Sequence, residues 1–338
     1  MTVLAAASSL TFGLLVLASL ASLASIGSWM FALSKLRARQ PLLAYEPRRK
    51  PLWSLFDILM TVAFMFMLQG MAVVMLGGAD PTASADSVLS RWTTVLIGVA
   101  GLTACGLGGC LIVLRTNASW GKDLGLTLRH AQRDVIYGGV AFAMLAPFLY
   151  TIQLILVQWY PSKHPLVEAF QANPTLSFYL VCVFSAAFVA PIVEEFICRM
   201  LLQGWLEGFL GGNSVRSNLF SPPEVMVPEG ETREAATSNP YTLPSKASES
   251  DCADESTTHD SSVVAPNVLG GIVPIMVSSL VFAGLHWSHG PDPIPLFILA
   301  LGLGYLYQRT HRILPCVVLH FLVNAFSLAL LALSLIVE

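Results

Sequence analysis

Residues 176–210 read LSFYLVCVFSAAFVAPIVEEFICRMLLQGWLEGFL, an apolar stretch with two acids and one base near its centre. A transmembrane helix needs about 20 apolar residues, so this stretch is too long for one simple span, and Pro191 interrupts it. A charged side chain at the bilayer centre costs about 3 kcal/mol on insertion scales. Glu194, Glu195 and Arg199 are therefore candidates for a functional site.

Seven further apolar windows flank this stretch. They are Leu10–Leu33, Leu52–Gly77, Trp92–Leu114, Val135–Trp159, Ile272–Trp287, Ile294–Gln308 and Ile313–Val337. The chain is 55% hydrophobic and only 12% charged, which does not fit a water-soluble domain. We expect an all-α, polytopic membrane protein with about eight transmembrane helices around a polar cavity. Residues 1–170 should form four N-terminal spans, and residues 171–338 a second unit that holds the polar sites.

The charge pattern predicts an orientation and excludes one class of partner. Basic residues concentrate in the first, third and last loops, in the order Lys35, Arg37, Arg39, Arg48, Arg49, Lys50, Arg115, Lys122, Arg129, Arg133, Arg309 and Arg312. Such loops face the cytoplasm in most membrane proteins. The net charge of −3, without a basic surface segment, argues against nucleic acid as a partner. The cysteines form no CxxC pair, so we interpret them as packing residues.

One segment departs from the membrane pattern. Residues 211–267 are rich in Ser and Pro and carry nine acids against three bases. We expect this acidic loop to be disordered. A tolerated insertion is favoured over a docking or regulatory segment, because long surface loops cost little free energy.

Helix geometry assigns different roles to the two adjacent acids. Glu195 and Arg199 are i,i+4 neighbours on one helix face, whereas Glu194 points about 100° away. A Glu195–Arg199 pair would leave Glu194 free to act as a general base. The alternative is a structural ion-pair network of all three residues.

Two further polar sites follow in the later windows. His286 ends the apolar run Phe282-Ala-Gly-Leu-His286, and we treat the nearby His289 as peripheral. His320 and Asn324 are i,i+4 neighbours in the last window and can both donate hydrogen bonds. Peptide hydrolysis needs a base, a group that holds the attacking water and donors for the oxyanion. The three sites together supply each of these groups.

These motifs occur in the order EExxxR, FxxxH and HxxxN, and the chain thereby resembles the CPBP family. This family comprises the CAAX prenyl endopeptidases and the bacteriocin-processing (ABI) intramembrane proteases. The resemblance covers roughly residues 176–324 without the acidic loop, which separates the first two motifs more widely than the family pattern needs. It implies that residues 171–338 form a catalytic core with a cavity open to the cytosol. Residues 211–267 would be an insertion within that core.

The resemblance also implies the role of each residue. Glu194 and His286 would activate water, and His320 and Asn324 would hold the oxyanion. Glu195 and Arg199 would organise the site. It further implies hydrolysis without a required metal, and Asn is a poor zinc ligand.

The expected substrate is a membrane-associated or lipidated protein or peptide, cleaved near its C-terminus. In a bacterium the chain would reside in the inner membrane; its oligomeric state stays open. A zinc-dependent membrane protease with Glu194, His286 and His320 as ligands is one alternative. A non-catalytic membrane scaffold or immunity protein is a second, and a proton-relaying transporter ranks last.

Overall fold

The computed structural model describes residues 2–46, 51–76, 86–121, 123–160, 175–210 and 268–337. Within these ranges the chain forms eight long helices and no strand. The helices are α1 (Thr2–Arg37), α2 (Leu55–Leu76), α3 (Asp86–Thr116), α4 (Ala131–Val157), α5 (Leu176–Leu210), α6 (Val268–Leu285), α7 (Pro293–Thr310) and α8 (Leu314–Val337). Lipid cannot hydrogen bond to backbone groups, and a helix satisfies those groups internally. The predicted all-α, polytopic fold with about eight helices is confirmed.

Several of these helices have the length and composition of membrane spans. Within the described residues there are five such segments, namely Leu55–Ala72, Val95–Thr116, Ala131–Val157, Leu176–Leu210 and Leu314–Leu333. Gly271–Leu285 is a shorter apolar helix. Large apolar side chains such as those of Leu114 and Val74 are exposed, as expected for surfaces that face lipid. The chain is an integral membrane protein.

Most of the predicted window boundaries differ from the observed helix ends, and α2 and α6 are two examples. Helix α2 begins at Leu55 rather than Leu52, and the Asp57 carboxylate accepts a hydrogen bond from the Ser54 backbone N–H at 2.8 Å just before it. Trp53 turns inward and donates its indole N–H to the Leu201 carbonyl at 3.0 Å. Helix α6 begins at Val268, four residues before its predicted window. The same helix ends at Leu285, and a short 3₁₀ turn (Trp287–His289) follows. Gly77 and the acidic loop 211–267 lie outside the described residues.

Helix α5 accommodates its unusual length and its proline by changing its hydrogen-bond register twice. Its 35 residues correspond to about 52 Å of helix. Two π-helical segments, Val183–Val189 and Phe196–Gln203, flank the α-helical Ala190–Glu195. Proline has no N–H to donate and crowds the preceding turn, so a wider turn just before Pro191 relieves both constraints. Such segments occur frequently at functional sites, and here they border Glu194 and Glu195.

The turn between α7 and α8 lies inside the bundle rather than on its surface. Thr310, His311 and Arg312 are all buried. Arg312 donates to both carboxylate oxygens of Asp134 from its Nε, at 2.8 and 3.0 Å, and it also pairs with Glu46. Helix α8 therefore begins at a turn that the first loop and α4 cover.

The three basic loops meet at one end of the bundle. In the first loop, the Leu43 carbonyl accepts a hydrogen bond from Arg309 Nε at 2.9 Å. In the third loop, the carbonyl of Gly125 accepts from the backbone N–H of Ile313 at 3.4 Å. Glu207, near the end of α5, lies 3.3 Å from His311 Nε2. We call this the basic end; its composition agrees with the predicted placement of these loops on one side of the membrane.

Candidate functional site

The centre of α5 carries a buried ion pair. Glu195 and Arg199 are both fully buried, and Arg199 Nε donates to Glu195 Oε2 at 3.1 Å. The i,i+4 pair expected from the sequence is therefore present. Glu194 points elsewhere, and its side chain is 30% exposed. One acid is neutralised inside the protein while its neighbour remains accessible.

His320 of α8 lies between these two acids. Its Nδ1 is 2.9 Å from Glu195 Oε1, and because an ionised carboxylate only accepts hydrogen bonds, Nδ1 carries the proton. Its Nε2 points to Glu194 Oε2 at 3.7 Å, which is too long for a direct hydrogen bond. The imidazole is 98% buried. Glu195 thus fixes the ring, and the second nitrogen faces the accessible acid.

Phe282 connects the α6 motif to this centre. Its ring centroid lies 5.6 Å from that of His320 and 5.2 Å from that of His286. On another side, the Arg199 guanidinium lies 5.3 Å from the same ring, within range of a cation–π interaction. The i,i+4 spacing of Phe282 and His286 therefore places one aromatic ring among three polar side chains.

Asn324 is oriented by the irregular geometry of α5. In the π-helical segment, each N–H donates to the carbonyl five residues earlier, and the Ala190 N–H donates to the Ser185 carbonyl in this way. The next hydrogen bond of the same kind would run from the N–H of residue 191 to the Ala186 carbonyl. Residue 191 is proline and has no N–H, which leaves the Ala186 carbonyl without that donor. Asn324 Nδ2 donates to this carbonyl at 2.8 Å. One amide hydrogen is thereby used, and Nδ2 keeps a second one for another acceptor.

His286 and His289 lie just beyond the C-terminal end of α6. His286 Nδ1 is 3.0 Å from the Phe282 carbonyl, so Nδ1 is the donor and the neutral ring keeps an accepting Nε2. The two imidazole centroids are 5.5 Å apart. Burial, reinforced by His286, lowers the pKa of His289, whereas the charges of Asp292 and Glu194 oppose the shift. His289, expected to be peripheral, is thus within electrostatic range of Glu194.

Two polar residues of the site were not identified from the sequence. Arg199 Nη1 donates to the Ser278 hydroxyl at 3.1 Å, and Ser278 contacts Gln203 Oε1 at 3.3 Å. Both residues are fully buried. A periodic signal was present, because Gln203 continues the i,i+4 series of Glu195 and Arg199. The contact with Ser278 joins two helices and cannot be read from either one alone.

The described residues do not form a preassembled metal site. Among them, no three His, Cys, Asp or Glu side chains are grouped closely enough to hold a metal ion. His320 Nδ1 contacts Glu195 and His286 Nδ1 faces a carbonyl, so each ring keeps Nε2 free, and a histidine needs only one free nitrogen to ligate a metal. Glu194, His286 and His320 are nevertheless not grouped as a preformed site, so the metal requirement stays a prediction and we assign no step to a metal.

The site lies in the part of α6 and α7 remote from the basic end. Phe282, which contacts His320, is within one turn of the C-terminus of α6, whereas the Gly271 carbonyl bonds to Gln308 near the basic end. An entrance past His286 would therefore open opposite the basic loops. The resemblance implies a cavity that opens to the cytosol. With the basic loops in the cytosol, substrate would then have to enter between helices; otherwise the protein has the opposite orientation in the membrane. The predicted orientation stays a prediction.

Comparison with known families gives one match. Residues 262–326 match the family model of Rce1-like proteins, described as type II CAAX prenyl endopeptidase Rce1-like. The matched segment includes Phe282–His286 and His320–Asn324, while the acids of α5 lie outside it. This match confirms the resemblance expected from the motifs and gives family-level support for a CAAX-type membrane protease. No curated protein and no solved structure matches the chain.

Proposed function

We propose that this chain is an intramembrane endopeptidase that hydrolyses a peptide bond near the C-terminus of a membrane-associated or lipidated protein or peptide. The observation that carries the proposal is the position of His320 between a buried, neutralised Glu195 and an accessible Glu194. In a purely structural network we would expect both carboxylates to be buried and hydrogen bonded, whereas Glu194 is 30% exposed and 3.7 Å from His320.

Glu194 and His286 are the proposed activators of water. Glu194 has no hydrogen bond to His320 at 3.7 Å, so a water molecule beside the pair can bond to both groups. His286 offers an accepting Nε2 on the neighbouring helix end. In the reaction, the water oxygen attacks the scissile carbonyl carbon while Glu194 takes the proton. The same proton then passes to the amide nitrogen as the C–N bond breaks.

His320 and Asn324 are the proposed donors to the oxyanion. Because Nδ1–H of His320 is committed to Glu195, Nε2 can donate only when the ring is protonated. Two carboxylates flank such a cation, and the charges of Glu194, Glu195, Arg199 and His320 then sum to zero. The second N–H of Asn324 completes the pair of donors. Preorganised donors of this kind stabilise the charge that develops in the tetrahedral intermediate.

A lateral groove supports a substrate that approaches from the lipid. It lies between α5 and α8 and has a volume of about 180 Å³. Its lining is apolar and consists of Ala187, Phe188, Ile192, Val317, Val318 and Phe321. The groove adjoins the polar site in the sequence of both helices: Phe321 follows His320, and Ala187 follows Ala186, whose carbonyl accepts from Asn324. An apolar chain seated in this groove would bring its attached peptide to the polar centre.

The test uses purified protein in detergent with quenched peptides, both prenylated and unmodified. Glu194→Gln and His286→Ala should each reduce cleavage by about 10²–10⁴-fold, the usual contribution of a general base. Thermal midpoints in the same detergent verify that the variants are folded. Equal cleavage by the wild type and both folded variants would refute the proposal and favour a non-catalytic scaffold.

We further propose that the reaction requires no metal. A strong chelator should therefore leave the cleavage rate of the wild type unchanged. Loss of activity on chelation, with recovery on adding zinc but not calcium, would overturn this part and support the zinc-dependent alternative. The peptidase assignment itself would survive that outcome.

A further inference from the structure

The buried ion pair of α5 belongs to a longer polar chain. Glu195, Arg199, Gln203 and Glu207 follow one another at i,i+4 spacing along α5. Gln203 Nε2 donates to Glu207 Oε1 at 3.0 Å and to the Gly304 carbonyl at 2.9 Å. Glu207 in turn lies 3.3 Å from His311. The chain thus runs from His320 to the basic end without leaving the protein interior.

Gln203 is locked by its own hydrogen bonds. Both hydrogens of its amide group are committed, one to Glu207 and one to Gly304 on α7. This assignment leaves Oε1 facing Ser278. The side chain is fully buried and therefore cannot exchange these partners for water. Gln203 consequently fixes the position of its Oε1, which accepts a hydrogen bond from Ser278 on α6.

Ser278 connects Gln203 to Arg199, because its hydroxyl donates to one and accepts from the other. Its single hydroxyl hydrogen is shared between Gln203 Oε1 at 3.3 Å and the Ile275 carbonyl at 3.1 Å. The oxygen lone pairs are therefore directed at Arg199 Nη1, which donates to them at 3.1 Å. With Glu195 on one side and the Phe282 ring on another, the guanidinium is held from three directions.

We propose that Ser278 and Gln203 are positioning residues for the peptide hydrolysis proposed above, on which this inference rests. They hold the Arg199 guanidinium in the one orientation that keeps Glu195 against His320. Neither residue touches the substrate, since both are fully buried behind the ion pair. Their loss should lower the rate of the chemical step and leave substrate binding unaltered.

Helix α6 provides a matched control at the adjacent position. Ser279 is also a fully buried serine, but its hydroxyl has no hydrogen-bond partner among the described residues. The experiment compares Ser278→Ala, Ser278→Thr and Ser279→Ala in detergent, with kcat expressed per folded enzyme. Ser278→Ala should lower kcat at least about 10-fold, equivalent to about 1.4 kcal/mol, with KM unchanged. Ser278→Thr keeps the hydroxyl and should restore most of the rate, and Ser279→Ala should match the wild type.

Each outcome decides the inference. Equal kcat values for Ser278→Ala and Ser279→Ala in an active background would overturn it and leave the proposed function intact. A wild type that cleaves no peptide would overturn the proposed function and this inference together. If Ser278→Ala fails to fold, Gln203→Met serves as the second variant. It keeps the size of the side chain, and an unchanged kcat for it would equally overturn the inference.

Discussion

The two adjacent glutamates of α5 allow a sharp test, because one substitution should have different consequences at the two positions. Glu194→Gln and Glu195→Gln remove the same charge from residues that are neighbours in sequence. Glu195 is fully buried against Arg199 and His320, whereas Glu194 is 30% exposed and makes only a 3.7 Å contact. Glu194→Gln should lower catalysis and leave folding stability unchanged, whereas Glu195→Gln should lower folding stability in addition to disturbing the position of His320.

The expected loss of stability follows from the buried pair. Removing one partner of a buried ion pair costs about 3–5 kcal/mol. Glutamine keeps the shape and one acceptor oxygen, so Glu195→Gln should lie near the lower limit of about 3 kcal/mol. At about 2 °C per kcal/mol for a chain of this size, the thermal midpoint should fall by about 6 °C. Glu194→Gln should change the free energy of unfolding by less than about 0.5 kcal/mol.

The assay is a thermal melt in detergent alongside the peptide-cleavage assay. Glu194→Gln should melt with the wild type while its cleavage rate falls by about 10²–10⁴-fold. A midpoint for Glu195→Gln equal to that of the wild type would refute the assignment of Glu195 as the buried, stabilising acid. Equal destabilisation of both variants would refute the division of roles between them.

Three further predictions test packing and site geometry. Gly138→Ala on α4 should destabilise by about 1–3 kcal/mol, because its Cβ would lie 2.8 Å from a backbone carbonyl of α8. The control Gly139→Ala meets nothing within 4 Å and should stabilise by about 0.5–1 kcal/mol; equal thermal midpoints for both variants would contradict the α4–α8 packing. Asp134→Asn breaks the buried pair with Arg312 and should cost about 3 kcal/mol, and an unchanged melt would show that the pair adds nothing to stability. Asn324→Ala should lower kcat by about 10²–10³-fold; a kcat equal to that of the wild type would exclude it as an oxyanion donor.

The sequence predicted the features that depend on neighbouring residues. Apolar windows long enough to span lipid predicted the helices, because each helix satisfies its own backbone hydrogen bonds. The Glu195–Arg199 pair was predictable from helical periodicity, and the order of the three polar motifs predicted the family resemblance. Partial accessibility of Glu194 followed from the same periodicity. The inferences about Glu194, Glu195 and Arg199 use distances of one or two helical turns.

The sequence did not predict contacts between side chains on different helices. Ser278 lacked any signal, because its partners Arg199 and Gln203 lie on another helix. The hydrogen bond between His320 and Glu195 also went unpredicted, because it joins two helices that are far apart in the sequence.

The sequence by itself therefore determined that this chain is a helical membrane protein with an acid–base motif on one helix and histidines on two others. Local spacing and the cost of charge in lipid are sufficient for that conclusion. Only the tertiary structure determined that His320 lies between the two acids. The packing of α8 places His320 2.9 Å from Glu195, and Pro191 leaves a carbonyl that accepts a hydrogen bond from Asn324. These positions depend on the packing of α8 against α4 and α5, and helix packing is a relation between segments that no single segment encodes.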